Sequence, residues 1–573
     1  MVIFQSDSEK YPYEFLFLPT CIIMRDGIMG LNKQTLDQFF AHVVEQYHAK
    51  QSLAYVGQSP ITYAEFGRKV VNVRLQLEES NIVYGDRVMI LGAPSPNWCV
   101  AFLAITTMGA VAVPVMDEVT PNDIDHIIKH SESKAIFIAE NIHESTSLSR
   151  LPKLKVFSLD SFGVLSEPLK PIEKREQEKV EVQEDDLAEI LYTSGTTGHS
   201  KGVMLSHKNI VSNAILSSSQ IGIMDSTSVV LGILPLAHAF GGTAMFLGGI
   251  YHGSEIHFLR RKPTPKLLLA AMEEVRPTVL CAVPLIFEKI FHKQVLPKIN
   301  KSKIFSKLVK SAVGRRLVYR LIGTKIMKMF GGRLKGAIIG GASLNREVEQ
   351  FLKDAKIPFA PGYGLSEAAP VVACCPPEDA KMGSVGKITQ GCTVKIVEQN
   401  DKGVGDILVK GPNVMQGYLK NDKATEEVFT EDGWLITGDR GYMDEEGYLY
   451  IRGRTKNVII GPSGENIYPE VVEDKLKESL YVEEALVYAE NNLVTARVYP
   501  DLSYIENELN GHHLSNEAMQ KHVDGILSNV MKETNKKLAA SARVKKIRLQ
   551  SEPFIMTPTK KIKRPLYVPN YGQ

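Results

Sequence analysis

Residues 193–202 read TSGTTGHSKG, a concentration of hydroxyls and glycines with one lysine near its end. Such a composition suits the holding of phosphate. Gly195, Gly198 and Gly202 allow backbone conformations that bring amide groups close to an anion, while Thr193, Ser194, Thr196 and Thr197 add hydroxyl donors. Lys201 supplies the neutralising charge. The spacing is not that of the common nucleotide loop GxxxxGK[ST]: Lys201 follows Ser200, and Gly202 stands where a magnesium-binding hydroxyl is required. A phosphate hydrolase of that type is therefore disfavoured. Taken alone, a Gly/Ser/Thr-rich stretch also suits a flexible linker. Its setting, between the strand-like apolar run 188–192 and a helix-like run beginning near Ser206, favours the cradle.

Other segments carry chemistry at fixed order along the chain. LPLAHAFGG (234–242) sets His238 in an apolar turn, GAIIGGASL (336–344) runs from a buried strand into a glycine turn, and PGYGLSEAAP (361–370) places Tyr363 and Glu367 four residues apart. The stretch 433–460 contains TGDRG with Asp439 and RGRTKN with Arg454 and Lys456. It is followed by PSGENIYPEVVE (462–473) and, near the end, IMTPTKKIKRP (555–565). On residue type alone each has a plain structural alternative. Asp439 reads as a turn aspartate, Glu367 as a helix-entry carboxylate, Tyr363 and His238 as core residues, and Lys560, Lys561, Lys563 and Arg564 as a solvated basic run.

The elements that must position these residues follow from the apolar pattern. Runs at 88–91, 135–138, 229–234, 278–283 and 336–339 alternate with helical periodicities, which predicts an α/β architecture with largely parallel sheets. The longest apolar stretch, 99–116, contains Pro114 and several small residues and is short for a bilayer span, so it reads as a buried helix-to-strand unit. With 573 residues and 44% hydrophobic content the chain has material for more than one domain, and no repeat of fixed period is present. Net charge is +2, which excludes a global bias towards nucleic acid or membrane. The six cysteines are scattered without metal-ligand spacing, as in a reduced cytoplasmic protein. The N-terminus lacks the pattern of a secretory signal.

In order and spacing, these motifs resemble the adenylate-forming superfamily of acyl-CoA synthetases, luciferases and peptide-synthetase adenylation domains, over nearly the whole chain from about residue 36. LPLAHAFG, YGLSE, SGENIYPE and TPTKKIKR are most similar to the long-chain fatty acid–CoA ligases. The resemblance implies a large N-terminal domain (1–455) of mixed sheets flanked by helices, and a small mobile α+β C-terminal domain (456–573) hinged at Lys456. It implies ATP, Mg²⁺ and CoA as co-reactants and a fatty acid as substrate, activated as an acyl adenylate with release of pyrophosphate. Residues 194–201 would hold the β- and γ-phosphates, Glu367 Mg²⁺, and Ser366 the α-phosphate. Tyr363 would stack on adenine beside Gly341, Ala342 and Gly364, Asp439 would accept from the ribose hydroxyls, and Arg454 would contact ribose or phosphate. Lys561 would neutralise carboxylate and α-phosphate together, with His238 near the acid or at the channel entry. Gly242 stands where some such ligases carry a tryptophan gate. An acyl-carrier-protein synthetase, a medium-chain or aryl acid–CoA ligase, and a catalytically silent acyl- or nucleotide-binding protein are the alternatives.

One local asymmetry stands apart from these motifs. Residues 289–335 contain ten lysines and four arginines and no acid, a local charge of +14 in a nearly neutral chain. Apolar residues recur among them at helical spacing, which predicts one or two basic amphipathic helices interrupted near Gly314 and Gly323. Either the apolar stripe packs on its own domain with the lysines merely solvated, or the face rests on an anionic membrane; a third reading, nucleic-acid binding, has no motif support in the segment.

Overall fold

The computed structural model describes residues 31–144, 146, 154–165, 180–193, 201–461, 466–491, 493–509, 515–557 and 561–568, with the backbone of two short strands, Ile23–Met24 and Gly27–Ile28. The expected parallel strands form. Arg87–Leu91 pairs in parallel with Val111–Val115 and Ala135–Ile138, and Ala135–Ile138 with Lys155–Ser158. They belong to a seven-stranded sheet that ends, on the other side, in Leu187–Thr193, Lys201–Ser206 and Gly417–Tyr418. A nine-stranded sheet is parallel through Glu255–Phe258, Val229–Gly232, Val279–Ala282, Gly336–Ile339 and Phe359–Gly364, and turns antiparallel at Val371–Cys374. Strands buried on both faces need no polar alternation, which is why they read as continuous apolar runs.

The 99–116 stretch is a helix, Pro96–Thr107, followed by the strand Val111–Val115. Ser95 starts the helix, its hydroxyl accepting from the Trp98 amide with Pro96 at the first turn, a cap worth about 1 kcal/mol. The helix His207–Ile221 is buried on nearly every face, and one core cluster draws residues from it and from both large sheets. Asn213 ties it to the nine-stranded sheet reciprocally: its side-chain nitrogen donates to the Val371 carbonyl at 2.8 Å and its oxygen accepts from the Val371 amide at 3.0 Å.

Two smaller sheets complete the chain. A four-stranded antiparallel sheet is ordered Thr393–Val397, Gly405–Lys410, Leu435–Met443, Leu449–Arg454. The last sheet, Val482–Glu490, Leu493–Pro500 and Lys546–Leu549, has its own core with Val472, Leu476, Val523 and Leu527. None of the helices among the described residues is long and apolar enough to cross a membrane. The described cysteines are all free, and most are buried.

The structure corrects three local expectations. The helix begins at His207 with Ser206 as its cap, as expected, but the segment leading into it is not a loop: Lys201–Ser206 is a strand antiparallel to Leu187–Thr193. Asp439 lies in the middle of the strand Leu435–Met443, not in a turn: Gly441 pairs with Gly405 and Ile451, while Gly438, with φ of +72°, falls at an irregularity of the pairing with Gly405–Lys410. Gly314 and Gly323 do not interrupt a helix. They lie inside Ala312–Met329, and the breaks fall before Lys303–Leu308 and Ala312, where Ser302 and Ser311 cap the next helix. At Gly323 a Cβ would come within 2.4 Å of the Ala355 carbonyl oxygen, so the missing side chain serves close packing.

Candidate functional site

The site is assembled at the ends of strands that are far apart in sequence. Thr193 and Lys201 are register partners at the open end of the hairpin, which sets the two ends of the phosphate-type loop side by side. Ser194, Gly195, Thr196, Thr197, Gly198 and Ser200 lie outside the described residues. The Lys201 ammonium sits 4.6 Å from the centre of the Tyr418 ring, a cation–π contact. The Tyr418 hydroxyl in turn donates to Glu367 Oε1 at 2.9 Å. Tyr418 thus couples the cation of the loop to the carboxylate of YGLSE. No motif in the sequence pointed to it, since its role depends on the edge pairing of Gly417–Tyr418 with Val203 and Met204.

Glu367 and Ser366 stand in a short 3₁₀ turn, Ser366–Ala368, immediately after the strand Phe359–Gly364. Gly364 closes that strand where a Cβ would meet the Pro370 carbonyl oxygen at 2.1 Å, so the turn requires glycine. The YGLSE spacing is the geometry of a strand end folding back on itself. Gly341, which follows the strand Gly336–Ile339, has φ of +87°, and Ala342 continues the turn. Glycine is the residue that takes this left-handed conformation without strain.

Tyr363 and Asp439 touch directly, the phenol donating to Asp439 Oδ2 at 2.7 Å. Burial, and then the neighbouring carboxylate, push the Tyr363 phenol well above its usual range, so it remains a donor. Asp439 is buried, its backbone amide donates to the Thr437 hydroxyl, and Arg454 Nε lies 2.8 Å from Oδ1. Both carboxylate oxygens are therefore oriented by fixed donors. Thr437 is a second contributor that the sequence did not signal.

His238 precedes a wide helical turn, Phe240–Leu247. The Phe240 amide donates to His238 Nδ1 at 3.2 Å, which leaves the proton of a neutral ring on Nε2. Burial, reinforced by the positive charge of Lys561, lowers the imidazole to about 4. His238 is consequently a neutral donor across the physiological range.

Lys561 arrives from the far end of the chain. The Thr557 amide donates to the Lys561 carbonyl at 2.7 Å, the Lys561 amide donates to the Thr557 hydroxyl at 3.1 Å, and Met556 bridges Ile562. This turn is held by Arg564, whose Nη1 donates to the Val487 carbonyl of the small sheet at 3.2 Å and whose Nη2 donates to both oxygens of Glu473, on the helix Pro469–Lys477, at 2.7 and 2.6 Å. Lys560 lies outside the described residues. The Lys561 residue is solvent-exposed, yet protein crowds its ammonium, as at the mouth of a cleft. Desolvation and then Arg454 lower its pKa, while Asp439 and Glu367 oppose the shift. The ammonium is thus within electrostatic reach of His238, Glu367, Asp439 and Arg454. Lys456 is exposed in the 3₁₀ turn Thr455–Asn457, between the four-stranded sheet and the C-terminal sheet.

A carboxylate, a neutral imidazole, two cations and a hydroxyl-anchored aspartate within electrostatic reach of one another suit charge management on an anionic substrate. The model of the AMP-binding enzyme family matches residues 40–419, about two thirds of the chain. The chain belongs to the AMP-binding enzyme family. Among curated relatives, this AMP-binding enzyme is 28% identical over 549 residues to the long-chain-fatty-acid–CoA ligase FadD15 of Mycobacterium bovis, covering 88% of this chain and 90% of the relative. It is 29% identical over 566 residues to the peroxisomal long chain acyl-CoA synthetase 6 of Arabidopsis thaliana, covering 88% and 79%. Among solved structures, o-succinylbenzoate CoA synthetase from Bacillus subtilis, in complex with its acyl-adenylate intermediate, matches with a TM-score of 0.71 at 24% identity, covering 93% of this chain and 99% of that one. ATP-bound MatB from Rhodopseudomonas palustris matches with a TM-score of 0.71 at 24% identity, covering 93% and 98%. The fold of this AMP-binding enzyme is that of these ligases.

No cluster of three or more His, Cys, Asp or Glu side chains capable of enclosing a metal occurs among the described residues. That fits an ion of the Mg²⁺ type, which is held by one or two carboxylates together with substrate phosphates. Glu367 has the right character, with Oε1 fixed by Tyr418 and Oε2 without a protein donor among the described residues.

Proposed function

We propose that this AMP-binding enzyme is an adenylate-forming acid–CoA ligase whose acid is a fatty acid, with a long acyl chain. The acid carboxylate attacks the α-phosphate of ATP, forming an acyl adenylate and releasing pyrophosphate. The thiol of CoA then attacks the acyl carbon and expels AMP. One observation supports the reading: the Lys561 ammonium lies within electrostatic reach of Glu367, Asp439, Arg454 and His238. Two anions must meet in the first step, and catalysis of such a step consists of positioning and charge neutralisation.

Lys561 neutralises the carboxylate and the α-phosphate as they approach, and the His238 Nε2 proton is offered to a carboxylate oxygen. Lys201, with the segment 194–200, holds the departing pyrophosphate. Tyr363, backed by Gly341, Ala342 and Gly364, takes the adenine face, Asp439 accepts from the ribose hydroxyls and Arg454 braces it at 2.8 Å. Ser366 contacts the α-phosphate. When bound at Glu367, Mg²⁺ would draw charge from the phosphate oxygens. Lys456 is the pivot about which residues 456–573 would turn, exchanging Lys561 for the segment that includes Ser463 when CoA enters. The names of the relatives in Mycobacterium bovis and Arabidopsis thaliana support fatty acid, long chain and CoA as the reactants.

The test is pyrophosphate release across a panel of carboxylic acids of graded chain length, with and without CoA. Fatty-acid-dependent release, with thioester formed only when CoA is present, is the expected result. Absence of acid-dependent release would leave a silent nucleotide binder, and acyl transfer only to a carrier protein would replace CoA as the acceptor.

A further inference from the structure

The basic segment resolves into a face with two distinct apolar stripes. The helix Ala312–Met329 buries Val318, Tyr319 and Ile326 in the core beside the nine-stranded sheet, together with Phe291, Phe330 and Phe351. That stripe satisfies the need of the helix for an inner face. On the opposite side Val313, Leu317 and Leu321, spaced by four, remain 69%, 57% and 62% exposed. Four residues advance the helix by about one turn, so these three form a continuous ridge. The preceding helix, Lys303–Leu308, adds Ile304 at 70% exposure. A solvated helix face carries no reason for such a ridge.

The charges around the ridge are of one sign. Arg315 and Arg316 lie against Asp354, Lys293 against Asp501 and Lys335 against Asp225. Lys303, Lys307, Lys310, Arg320, Lys325 and Lys328 make no ion pair among the described residues and are exposed. Beside the helix a basin of about 330 Å³ is lined by Arg316, Arg320, Lys353 and Lys356, with Asp354 as its one carboxylate. Its size and charge suit a phosphate-bearing headgroup.

We propose that the outer face of Lys303–Leu308 and Ala312–Met329 is a docking surface for the anionic face of a lipid bilayer. The ridge of Val313, Leu317 and Leu321 enters the headgroup boundary, flanking cations meet anionic lipids, and the basin beside Arg320 receives a headgroup phosphate. The alternation of apolar and cationic side chains on one helix face is the pattern that a charged interface with an apolar interior selects. The idea that an apolar acid is collected where it partitions rests on the acyl-activating reading given above. The docking itself does not.

The experiment is co-sedimentation of the full chain with vesicles of phosphatidylcholine alone and of phosphatidylcholine mixed with phosphatidylglycerol. The chain is expected on the mixed vesicles and not on the neutral ones, weakening with salt. Each basic residue near an anionic surface contributes roughly fivefold in affinity, so the triple variant Arg320→Gln, Lys325→Gln, Lys328→Gln should bind about 100-fold more weakly. Leu317→Ser with Leu321→Ser should abolish the binding that survives at high salt. The far-ultraviolet circular dichroism spectrum and thermal unfolding midpoint should be unchanged in both variants, which certifies the fold. Should either variant misfold, Lys303→Gln, Lys307→Gln, Lys310→Gln tests the same surface from the neighbouring helix. Equal binding to both vesicle types, binding unaffected by the variants, or a dimer in solution that Leu317→Ser with Leu321→Ser dissociates would each overturn the proposal. So would comparable salt-dependent binding to single-stranded RNA. Wild-type vesicle binding without pyrophosphate release from any acid would sink the ligase reading and leave the surface standing.

Discussion

Asp439 and Arg454 face each other as register partners on adjacent antiparallel strands, with the guanidinium nitrogen 2.8 Å from the carboxylate. The aspartate is buried while the arginine is half exposed, so the pair presents a fixed acceptor at the cleft with its cation towards solvent. Hydrogen bonds to a charged group contribute about 1.5–3 kcal/mol. Asp439→Ala should therefore weaken ATP binding roughly 10- to 100-fold in calorimetric titration. Unchanged affinity in a folded variant would remove Asp439 from the nucleotide site.

Lys561→Ala should separate the two half-reactions. Removing a charge-stabilising donor costs about 10²–10³ in rate where it acts, so adenylate formation should fall by that factor. Thioester formation from supplied acyl adenylate should be largely retained. Equal loss of both steps would reject the assigned role.

The same ammonium predicts a pH dependence. Burial and Arg454 lower its pKa, and only the charged form neutralises the reactants, so adenylation should decline as pH rises through the lowered value. The alkaline limb should then lie below the ~10.4 of a free lysine. Lys561→Arg should shift that limb upward in single-turnover measurements, and an identical limb in both proteins would assign it to another group.

Burial holds the imidazoles of His207, His238 and His252 at about 4 each. Between the unfolded value of ~6.5 and about 4 the unfolded chain binds more protons, so stability falls as pH falls through that window and levels off below it. His207 is fully buried and accepts from the Leu36 amide at Nδ1. His207→Asn keeps an acceptor there and should lessen the acid-side loss by up to about 3 kcal/mol in denaturant titrations at pH 4. Parallel curves for both proteins would count against this.

Gly242 is sterically constrained. A Cβ there would lie 2.8 Å from the Leu236 carbonyl oxygen, and one at Gly241 would lie 2.0 Å from that of Pro235. Gly242→Trp should therefore destabilise the chain by about 1–3 kcal/mol, as overpacking does, instead of installing a gate. Thermal unfolding reads the effect; a variant as stable as wild type that merely narrows chain-length preference would refute it.

The apolar runs at 88–91, 135–138 and 336–339 were legible because a strand buried on both faces leaves its mark in consecutive residues. YGLSE, TGDRG and TPTKKIKR were legible as motifs because their chemistry is written at short range. Asp439 was misplaced in a turn because a glycine on either side looks the same in a loop and in a paired strand. Gly323 looked like a break because the Ala355 carbonyl that requires it lies in another element. Short-range order in the chain placed the carboxylates, lysines and hydroxyls in glycine-punctuated segments and located most of the strands beside them. Only the tertiary structure decided that Tyr418 joins Lys201 to Glu367, that Arg454 braces Asp439, and that Lys561 reaches them. Those contacts depend on sheet register and on packing between distant segments. Periodicity reports only how a residue relates to its near neighbours, so it cannot encode which apolar stripe of the basic helix turns inward and which is left to the solvent.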